Sequence, residues 1–440
     1  MEKGNKKIVN AWCWYDWANS VYPLVITTAV FPIYFGAVTK TGEVSYIEFL
    51  GRDIVNTEFY SYLVALSFLM VAMISPVLSG IADYAGRKRL FMQIFSSIGA
   101  LASISLFFFT GRENLWIGVL GSIMASIGFA GSLVFYNAFL PEIAAEKDMD
   151  KVSARGFTMG YIGSSILLIL CFVVIMMPGT FGIPDLPDGK PNTGLATRIS
   201  FMMAGLWWLG FAQIAFAGLP ARTHDRVVDS KKLLSHGYKE LAGVMRQLRL
   251  PAQRKILLFL AGFFFCALGY MTVIYLATLF GEKEVGMTSS ELMITVLIIQ
   301  FVAIGGSYLF AGISSKLGNI PAIMISAIIW ALVCCSTFFV TDKVGFYVVA
   351  FFVGTVMGGI QALARSTYAK LLPETEDHAS YYSFYELTEK VATATGTFSY
   401  GIIINLTGTM RNASLFLGLM FLVGIVFLFF AHRAQRVTAS

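Results

Sequence analysis

Apolar residues occur along the chain in long runs that short polar segments separate. Each run has about the 20 residues that an α-helix needs to cross the hydrocarbon core of a bilayer. We predict twelve such helices: Trp12–Ala37, Glu58–Ala82, Lys88–Thr110, Leu115–Leu140, Arg155–Pro178, Arg198–Leu219, Ile256–Gly281, Thr288–Ser315, Gly318–Val340, Val344–Leu372, Ser380–Leu406 and Ala413–His432. The pattern therefore indicates an all-α membrane protein that contacts the lipid bilayer along most of its length.

The composition of the 440 residues agrees with this interpretation. Apolar residues make up 57% of the chain and charged residues 13%, whereas soluble domains have about 25% charged residues. A soluble enzyme or a nucleic-acid-binding protein is therefore excluded. The formal charge of +6 is explained by basic residues in the loops of a membrane protein.

Basic residues are distributed unequally between the two sides of the predicted membrane. The connections on the side of the N-terminus carry 23 Lys and Arg residues, and those on the other side carry 8. Because basic loops stay in the cytoplasm, both termini are expected to be cytoplasmic. The favoured location is the cell membrane.

The sequence repeats itself with an offset of 232 residues. The pattern Gly-Ile-x-x-x-x-Gly occurs at 80–86 and at 312–318, and Leu-Pro-Glu occurs at 140–142 and at 372–374. Two matches at one offset predict two pseudo-symmetric six-helix bundles, with a substrate site between them near the membrane midplane. The predicted units are a first bundle (1–219), a cytoplasmic linker loop (220–255) that includes an amphipathic helix, and a second bundle (256–440).

Several motifs resemble those of the major facilitator superfamily. Gly80–Arg89 is similar to the superfamily's loop between its second and third spans. Tyr15–Ser20 with Phe31–Phe35, Asn137–Glu142 and Gly358–Ser366 resemble the vacuolar amino-acid effluxer-like branch. The resemblance covers the whole chain and implies a transporter with the major facilitator fold, which works by alternating access. Amino acids are the substrate class attached to the branch's namesake.

The resemblance also assigns a gating role to the loop after the second span. Gly80 and Gly86 permit a tight turn, and Asp83 is expected to accept hydrogen bonds from a helix N-terminus or to pair with Arg87. The alternative is a turn that only marks topology. The second-half loop has Ser315 and Asn319 at the positions of the two charged residues, so only the first copy is expected to act as a latch.

Lys390 is the most deeply placed charge in the predicted spans. Charges within a membrane helix are costly and usually mark function. Glu386 is four residues away on the same helix face and is expected to pair with it, while Glu389 is expected to point elsewhere. Lys390 either binds a substrate carboxylate or changes its partner during proton-coupled transport; the alternative is a permanent structural pair.

Two further groups of polar residues are predicted to line the substrate path. Asp16 and Asn19 share a face of the first helix, where Asp16 is a candidate proton carrier or gate, or else an acid that caps the helix. The aromatic residues around Asp16 are expected at the membrane interface. In the tenth span, Gln361 and Arg365 are candidates for the cavity or its gate, unless Arg365 extends to the surface.

Weaker candidates for the same path are Asn137, Gln300 and Tyr270, because neutral polar residues in membrane helices often only bond a neighbouring helix. The pairs Gly156/Gly160 and Gly354/Gly358 are assigned to close helix packing.

These sequence patterns contain no motif that is typical of enzymes or of ATP-driven pumps. The four His residues lie outside the predicted spans, and no phosphate-binding loop is present. The five Cys residues are interpreted as buried apolar side chains. We therefore expect a monomeric secondary transporter of a small organic solute, with protons as a candidate coupling ion and with no cofactor, metal site or catalytic residue. A transporter-like receptor or scaffold without flux is the alternative, and a membrane-embedded enzyme is less favoured.

Overall fold

The computed structural model describes residues 3–40, 46–49, 51–221 and 233–439. The part before residue 222 contains helices α1 (Lys6–Asn19), α2 (Phe31–Thr39), α3 (Asn56–Ala85), α4 (Lys88–Ser105), α5 (Leu115–Ala138), α6 (Leu140–Ile143), α7 (Met149–Met176) and α8 (Thr193–Gly218) and a hairpin of β1 (Tyr46–Phe49) and β2 (Arg52–Val55). The part after residue 232 contains α9 (Leu233–Leu248), α10 (Arg254–Val285), α11 (Ser289–Leu317), α12 (Asn319–Ser336), α13 (Lys343–Leu371), α14 (His378–Thr407) and α15 (Met410–Ala439).

Helices long enough to cross a membrane account for most of the described chain. Ten are both long and apolar enough, counting the continuous helix Lys6–Thr39 as one of them. In α3, a shorter apolar stretch covers Leu69–Ala85. The 30 residues of α14 are long enough to span, but they include the charged residues predicted for the substrate site. Both helices occupy positions of predicted spans, which gives six spans before α9 and six after it.

The helices of each half pack mainly on one another, and a smaller set joins the halves. In the first half α4 packs on α5 and α8, and in the second half α10 and α12 pack on α15. Between the halves, α7 contacts α11 and α13, while α14 contacts α3 and α5. These helices enclose the centre of the molecule.

The repeated motifs occupy equivalent places in the two halves. Gly80 lies five residues before the end of α3, and Gly312 lies five residues before the end of α11. Gly86 and Gly318, which follow these helices, have φ values of 59° and 89°. Such left-handed backbone favours glycine, so the repeat preserves the turn.

The first span is interrupted by a π-helical segment that the sequence pattern did not predict. The segment runs from Tyr22 to Val30, between α1 and α2. Pro23 lacks an amide hydrogen, and its carbonyl oxygen accepts a hydrogen bond from the Thr28 hydroxyl at 2.8 Å. Segments of this kind are frequent at functional sites.

The aromatic residues of α1 are not all at the membrane interface. Trp12 and Tyr15 are fully buried, and the Trp12 indole donates to the carbonyl oxygen of Tyr136 at 2.9 Å. The prediction of an interfacial belt is wrong for these two residues, because α1 is packed between α7 and α8. The expectation that all five Cys residues are buried is wrong for Cys335, which is exposed; the other four are buried.

Helix α9 is the amphipathic helix expected in the linker. Val244 and Leu248 are buried, and the helix packs on α3. The Tyr381 hydroxyl at the start of α14 donates to Gln247 Oε1 at 2.7 Å. Helix α9 therefore lies against the ends of two spans; the linker segment 222–232 is outside the described residues.

Candidate functional site

A cavity of about 210 Å³ lies between the two halves. Helices of both bundles line it, including α1, α5 and α7 of the first half and α10, α11, α13 and α14 of the second. All eight residues predicted for substrate binding or coupling line this one cavity: Asp16, Asn19, Asn137, Tyr270, Gln361, Arg365, Glu386 and Lys390. Their placement is a result of the fold, and their roles remain predictions.

A buried ion pair closes one end of the cavity. The Arg365 guanidinium on α13 lies 3.1 Å from Asp16 Oδ2 on α1, and the Tyr136 hydroxyl donates to the same oxygen at 2.7 Å. Arg365 also donates to the hydroxyl and the carbonyl oxygen of Ser153, at 3.0 and 2.8 Å. Two residues 349 positions apart thus form a single contact between the halves.

Aromatic rings surround the same guanidinium. The Arg365 Cζ atom lies 4.1 Å from the ring centroid of Phe157 and 4.7 Å from that of Trp12. A cation over an aromatic face is stabilised by the ring quadrupole. The surface-directed alternative for Arg365 is therefore wrong, since its side chain is only 3% exposed.

Lys390 has two carboxylate neighbours on α14. Its Nζ atom lies 2.7 Å from Glu389 Oε1 and 3.6 Å from Glu386 Oε2. The expectation that Glu389 points elsewhere is wrong, because the flexible lysine side chain turns toward the adjacent residue. Glu389 is therefore a residue of the site that helical spacing did not identify.

Asn137 connects the two charged groups of the cavity. Its side-chain nitrogen donates to Glu386 Oε1 at 2.8 Å, and its oxygen lies 3.5 Å from Arg365 Nη1. Tyr270 donates to Glu389 Oε2 at 3.4 Å. Asn137 and Tyr270 thus both contact charged residues.

Tyr161 is a further residue that sequence reasoning missed. Its hydroxyl on α7 donates to Gln361 Oε1 on α13 at 2.6 Å and so bridges the halves. A tyrosine in an apolar helix gives no signal in the sequence. Only the adjacent pair Gly156/Gly160 marks this part of α7 as a packing interface.

Other polar contacts between the halves lie on the side of the molecule that carries both chain termini and α9, here called the terminal side. Asp83, at the end of α3, accepts hydrogen bonds from the backbone amides of Ala379 and Ser380 at 3.2 and 2.7 Å. These amides open α14, so the carboxylate caps the helix N-terminus, where the helix dipole favours an anion. We call this contact the first gate contact.

The basic partner of Asp83 differs from the one predicted. Lys88 Nζ lies 3.2 Å from Asp83 Oδ1 and also contacts Glu142, whereas Arg87 is exposed. Glu142 Oε1 in turn lies 3.0 Å from His378 Nδ1 of the second half. The buried lysine follows the left-handed Gly86 by two residues, and the turn directs it inward in place of Arg87.

A second contact of this kind, here called the second gate contact, lies at the corresponding loop of the other half. Asp150 on α7 accepts hydrogen bonds from Ser314 at 2.9 Å, Asn319 at 2.7 Å and Lys370 at 2.8 Å. The second-half loop lacks an acid of its own, but the facing half supplies one. The two gate contacts and the Asp16–Arg365 pair join the halves on the terminal side.

The chain is similar to known membrane transporters along its whole length. The sequence profile of the family described as vacuole effluxer Atg22 like matches residues 4–438. An uncharacterized MFS-type transporter of Bacillus subtilis, YxiO, is 34% identical over all of this chain and 98% of its own length. Autophagy-related protein 22-1 of Penicillium rubens is 24% identical over 89% of this chain and 78% of its own length.

Solved structures show the same fold at low sequence identity. The major facilitator transporter FucP in its outward conformation has a TM-score of 0.70 and 15% identity, covering 97% of this chain and 99% of its own. The human organic anion transporter MFSD10 has a TM-score of 0.68 and 11% identity, covering 97% of this chain and all of its own.

These similarities confirm the predicted twelve-helix fold of two six-helix bundles, and the relatives are transporters and not enzymes. The chain belongs to the vacuole effluxer Atg22-like family of major facilitator transporters.

Proposed function

We propose that this protein is a secondary active transporter that moves amino acids across the membrane by alternating access of the central cavity. One observation carries the proposal. The cavity between the halves is lined by buried polar atoms that have no hydrogen-bond partner among the described residues: Asn19 Nδ2, Gln300 Oε1 and Glu386 Oε2. Buried polar atoms are normally satisfied, so atoms of this kind in a cavity are available to a polar solute.

The size and lining of the cavity favour a small solute with an apolar part. A volume of about 210 Å³ corresponds to roughly seven water molecules at ~30 Å³ each. Apolar side chains such as Leu133, Phe157, Ile274 and Val353 complete the wall. Lys390 provides a cation for a solute carboxylate at the centre of the cavity. The description of the matched family as a vacuole effluxer supports efflux.

The Asp16–Arg365 pair supports coupling to protons. Opening the terminal side separates α1 from α13 and takes Arg365 away from Asp16. A carboxylate left in a buried site without its cation is strongly disfavoured, and binding a proton removes that cost. In this mechanism Asp16 carries the proton while the gate is open, and Arg365 displaces it when the gate closes.

The terminal side is assigned to the cytoplasm because of its excess of basic residues. The cell membrane is the proposed location, and the central cavity within one chain supports a monomer. The direction of net flux is assigned to export from the family's description as an effluxer.

Transport by the purified chain in liposomes tests the proposal. The panel contains amino acids, peptides, sugars and drugs, each measured with and without an imposed proton gradient. We expect flux of amino acids that the gradient accelerates, with acidification or alkalinisation of the lumen reported by an entrapped dye. Binding without flux for the whole panel would instead indicate a receptor or scaffold.

A further inference from the structure

The central cavity contains one more carboxylate than its cations neutralise. Its charged residues are Asp16, Arg365, Glu386, Glu389 and Lys390. Asp16 pairs with Arg365 at 3.1 Å, and Glu389 pairs with Lys390 at 2.7 Å. Glu386 remains, and the lining residues that the structure describes have a formal net charge of −1.

Glu386 shares its nearest cation with Glu389, because Lys390 Nζ lies 3.6 Å from Glu386 and 2.7 Å from Glu389. Its side chain is 3% exposed. Oε1 accepts a hydrogen bond from the neutral amide of Asn137 at 2.8 Å. Oε2 accepts no hydrogen bond within the part of the chain that the structure describes. Of the two carboxylates beside Lys390, that of Glu389 is the closer.

A buried acceptor with excess negative charge fits a cation that donates hydrogen bonds. An ammonium group has three N–H donors, and Gln300 Oε1, also unpartnered, lines the same cavity as a further acceptor. A metal ion fits less well, because the described residues contain no group of three His, Cys, Asp or Glu side chains that could hold one. The excess charge and the orphan oxygen therefore indicate the same ligand.

We infer that Glu386 is the residue that binds the ammonium group of the transported solute. The inference rests on the proposed function and adds to it a specificity-determining residue. Lys390 lies 3.6 Å from Glu386 Oε2, so the two residues present an anion and a cation side by side. A solute whose ammonium and carboxylate groups are attached to the same carbon atom, as in an α-amino acid, matches this arrangement, and an ω-amino acid does not.

Four probes separate the contributions of the two charged groups. Valine carries both groups, isobutylamine lacks the carboxylate, and 3-methylbutanoate lacks the ammonium; 5-aminopentanoate is an isomer of valine with distant charges. Binding is measured with the full chain in nanodiscs by calorimetry. Wild-type protein is expected to bind valine and isobutylamine, and to bind 5-aminopentanoate at least tenfold more weakly than valine.

The variant Glu386→Gln is expected to bind isobutylamine about 10- to 100-fold more weakly, as for the loss of one hydrogen bond to a charged group. Binding of 3-methylbutanoate is expected to stay within about threefold of wild type, since this probe has no ammonium group. The matched control Glu113→Gln changes an exposed acid in the loop between α4 and α5 and is expected to leave binding unchanged. A thermal melt confirms that both variants are folded.

The outcomes separate this inference from the proposed function. Equal binding of isobutylamine by wild type and Glu386→Gln overturns the inference, even if valine is transported. Transport of valine with proton flux that depends on Glu386, but without isobutylamine binding, overturns it in favour of a proton at this residue. Amine binding that is lost in Glu386→Gln supports the inference, even if no flux of any amino acid is found and the proposed function fails.

Discussion

At the residue scale, the two carboxylates beside Lys390 decide how its role is tested. Lys390→Met removes the cation and leaves both carboxylates buried, which costs about 3–5 kcal/mol for a broken buried pair. The double variant Lys390→Met/Glu389→Gln removes the closer pair at 2.7 Å and is expected to recover stability. We expect transport to be lost in both, because a substrate carboxylate has no cation in either. Flux in proteoliposomes, with melting temperatures in parallel, measures the two effects separately; full transport by the double variant would reduce Lys390 to a packing role.

Gly156 provides a second residue-scale prediction. A methyl group on Gly156 lies 2.5 Å from Asp16 Oδ2 and 2.9 Å from Arg365 Nη2, so Gly156→Ala pushes the ion pair apart. We expect destabilisation of about 1–3 kcal/mol, as for overpacking. Gly210→Ala is the matched control, because this exposed glycine of α8 has no atom within 4 Å of the added methyl and gains up to about 1 kcal/mol in helix propensity. Equal melting temperatures for the two variants would contradict the assigned contact.

The site residues were predictable singly, but their partners were not. Asp16 and Arg365 could each be identified as a costly charge within a span, yet nothing in local spacing relates positions that are 349 residues apart. Glu389 was missed for the opposite reason. Helical spacing describes Cβ directions, and a lysine side chain is long enough to reach a neighbour in another direction.

At the element scale, the two gate contacts are expected to act together. Asp83→Asn and Asp150→Asn each remove the charge from a capping or hydrogen-bonding carboxylate. Each is expected to destabilise the state that is closed on the terminal side by about 1 kcal/mol, which lowers its population relative to the open state about fivefold. The contacts belong to different helices, α3 and α7, so their effects are expected to add in the double variant. The measurement is the labelling, from the terminal side, of a cysteine placed at Ser20, which lines the cavity. The background carries Cys335→Ser, and increased labelling reports opening of the terminal side.

The control for this experiment is Asp188→Asn, which removes an exposed loop carboxylate that pairs with Lys190. It is expected to leave labelling unchanged. If Asp83→Asn increases labelling and Asp150→Asn does not, the second contact is structural and is not a gate.

Apolar runs predicted the spans well because length and hydropathy are local properties. The π-helical segment Tyr22–Val30 and the short hairpin at 46–55 were not predicted. An i to i+5 hydrogen-bond pattern leaves no distinct periodicity over nine residues, and the hairpin has only four residues in each strand. The conformation of both segments depends on packing against neighbouring elements, which local sequence does not describe.

At the scale of the whole molecule, transport requires the halves to separate on the terminal side. The Ser314 hydroxyl lies 2.9 Å from Asp150 Oδ2, so Asp150→Cys/Ser314→Cys in a Cys335→Ser background places two thiols across the interface. Oxidation is expected to abolish flux, and a reductant is expected to restore it to the level of the reduced double variant. The single variant Asp150→Cys, oxidised in the same way, is the control. Full flux by the cross-linked protein would show that α7 and α11 do not part during transport.

The architecture was predictable from the sequence because the repeat is visible at a single offset. The second gate contact was not, since the acid is not in the repeated loop. The carboxylate is at the start of α7 and not at the end of α11, so comparing the two loops alone does not reveal it.

Among the described residues, four carboxylates of the first bundle meet the opposite half on the terminal side: Asp16, Asp83, Glu142 and Asp150. Their partners in the second bundle are hydrogen-bond donors, among them Arg365, His378 and Lys370. The two bundles therefore have complementary faces, as two different subunits do. Two copies of the first bundle would set acid against acid, and like charges facing each other disfavour a wrong partner. If the bundles were synthesised as separate chains, this polarity would direct each to the other and away from its own copy.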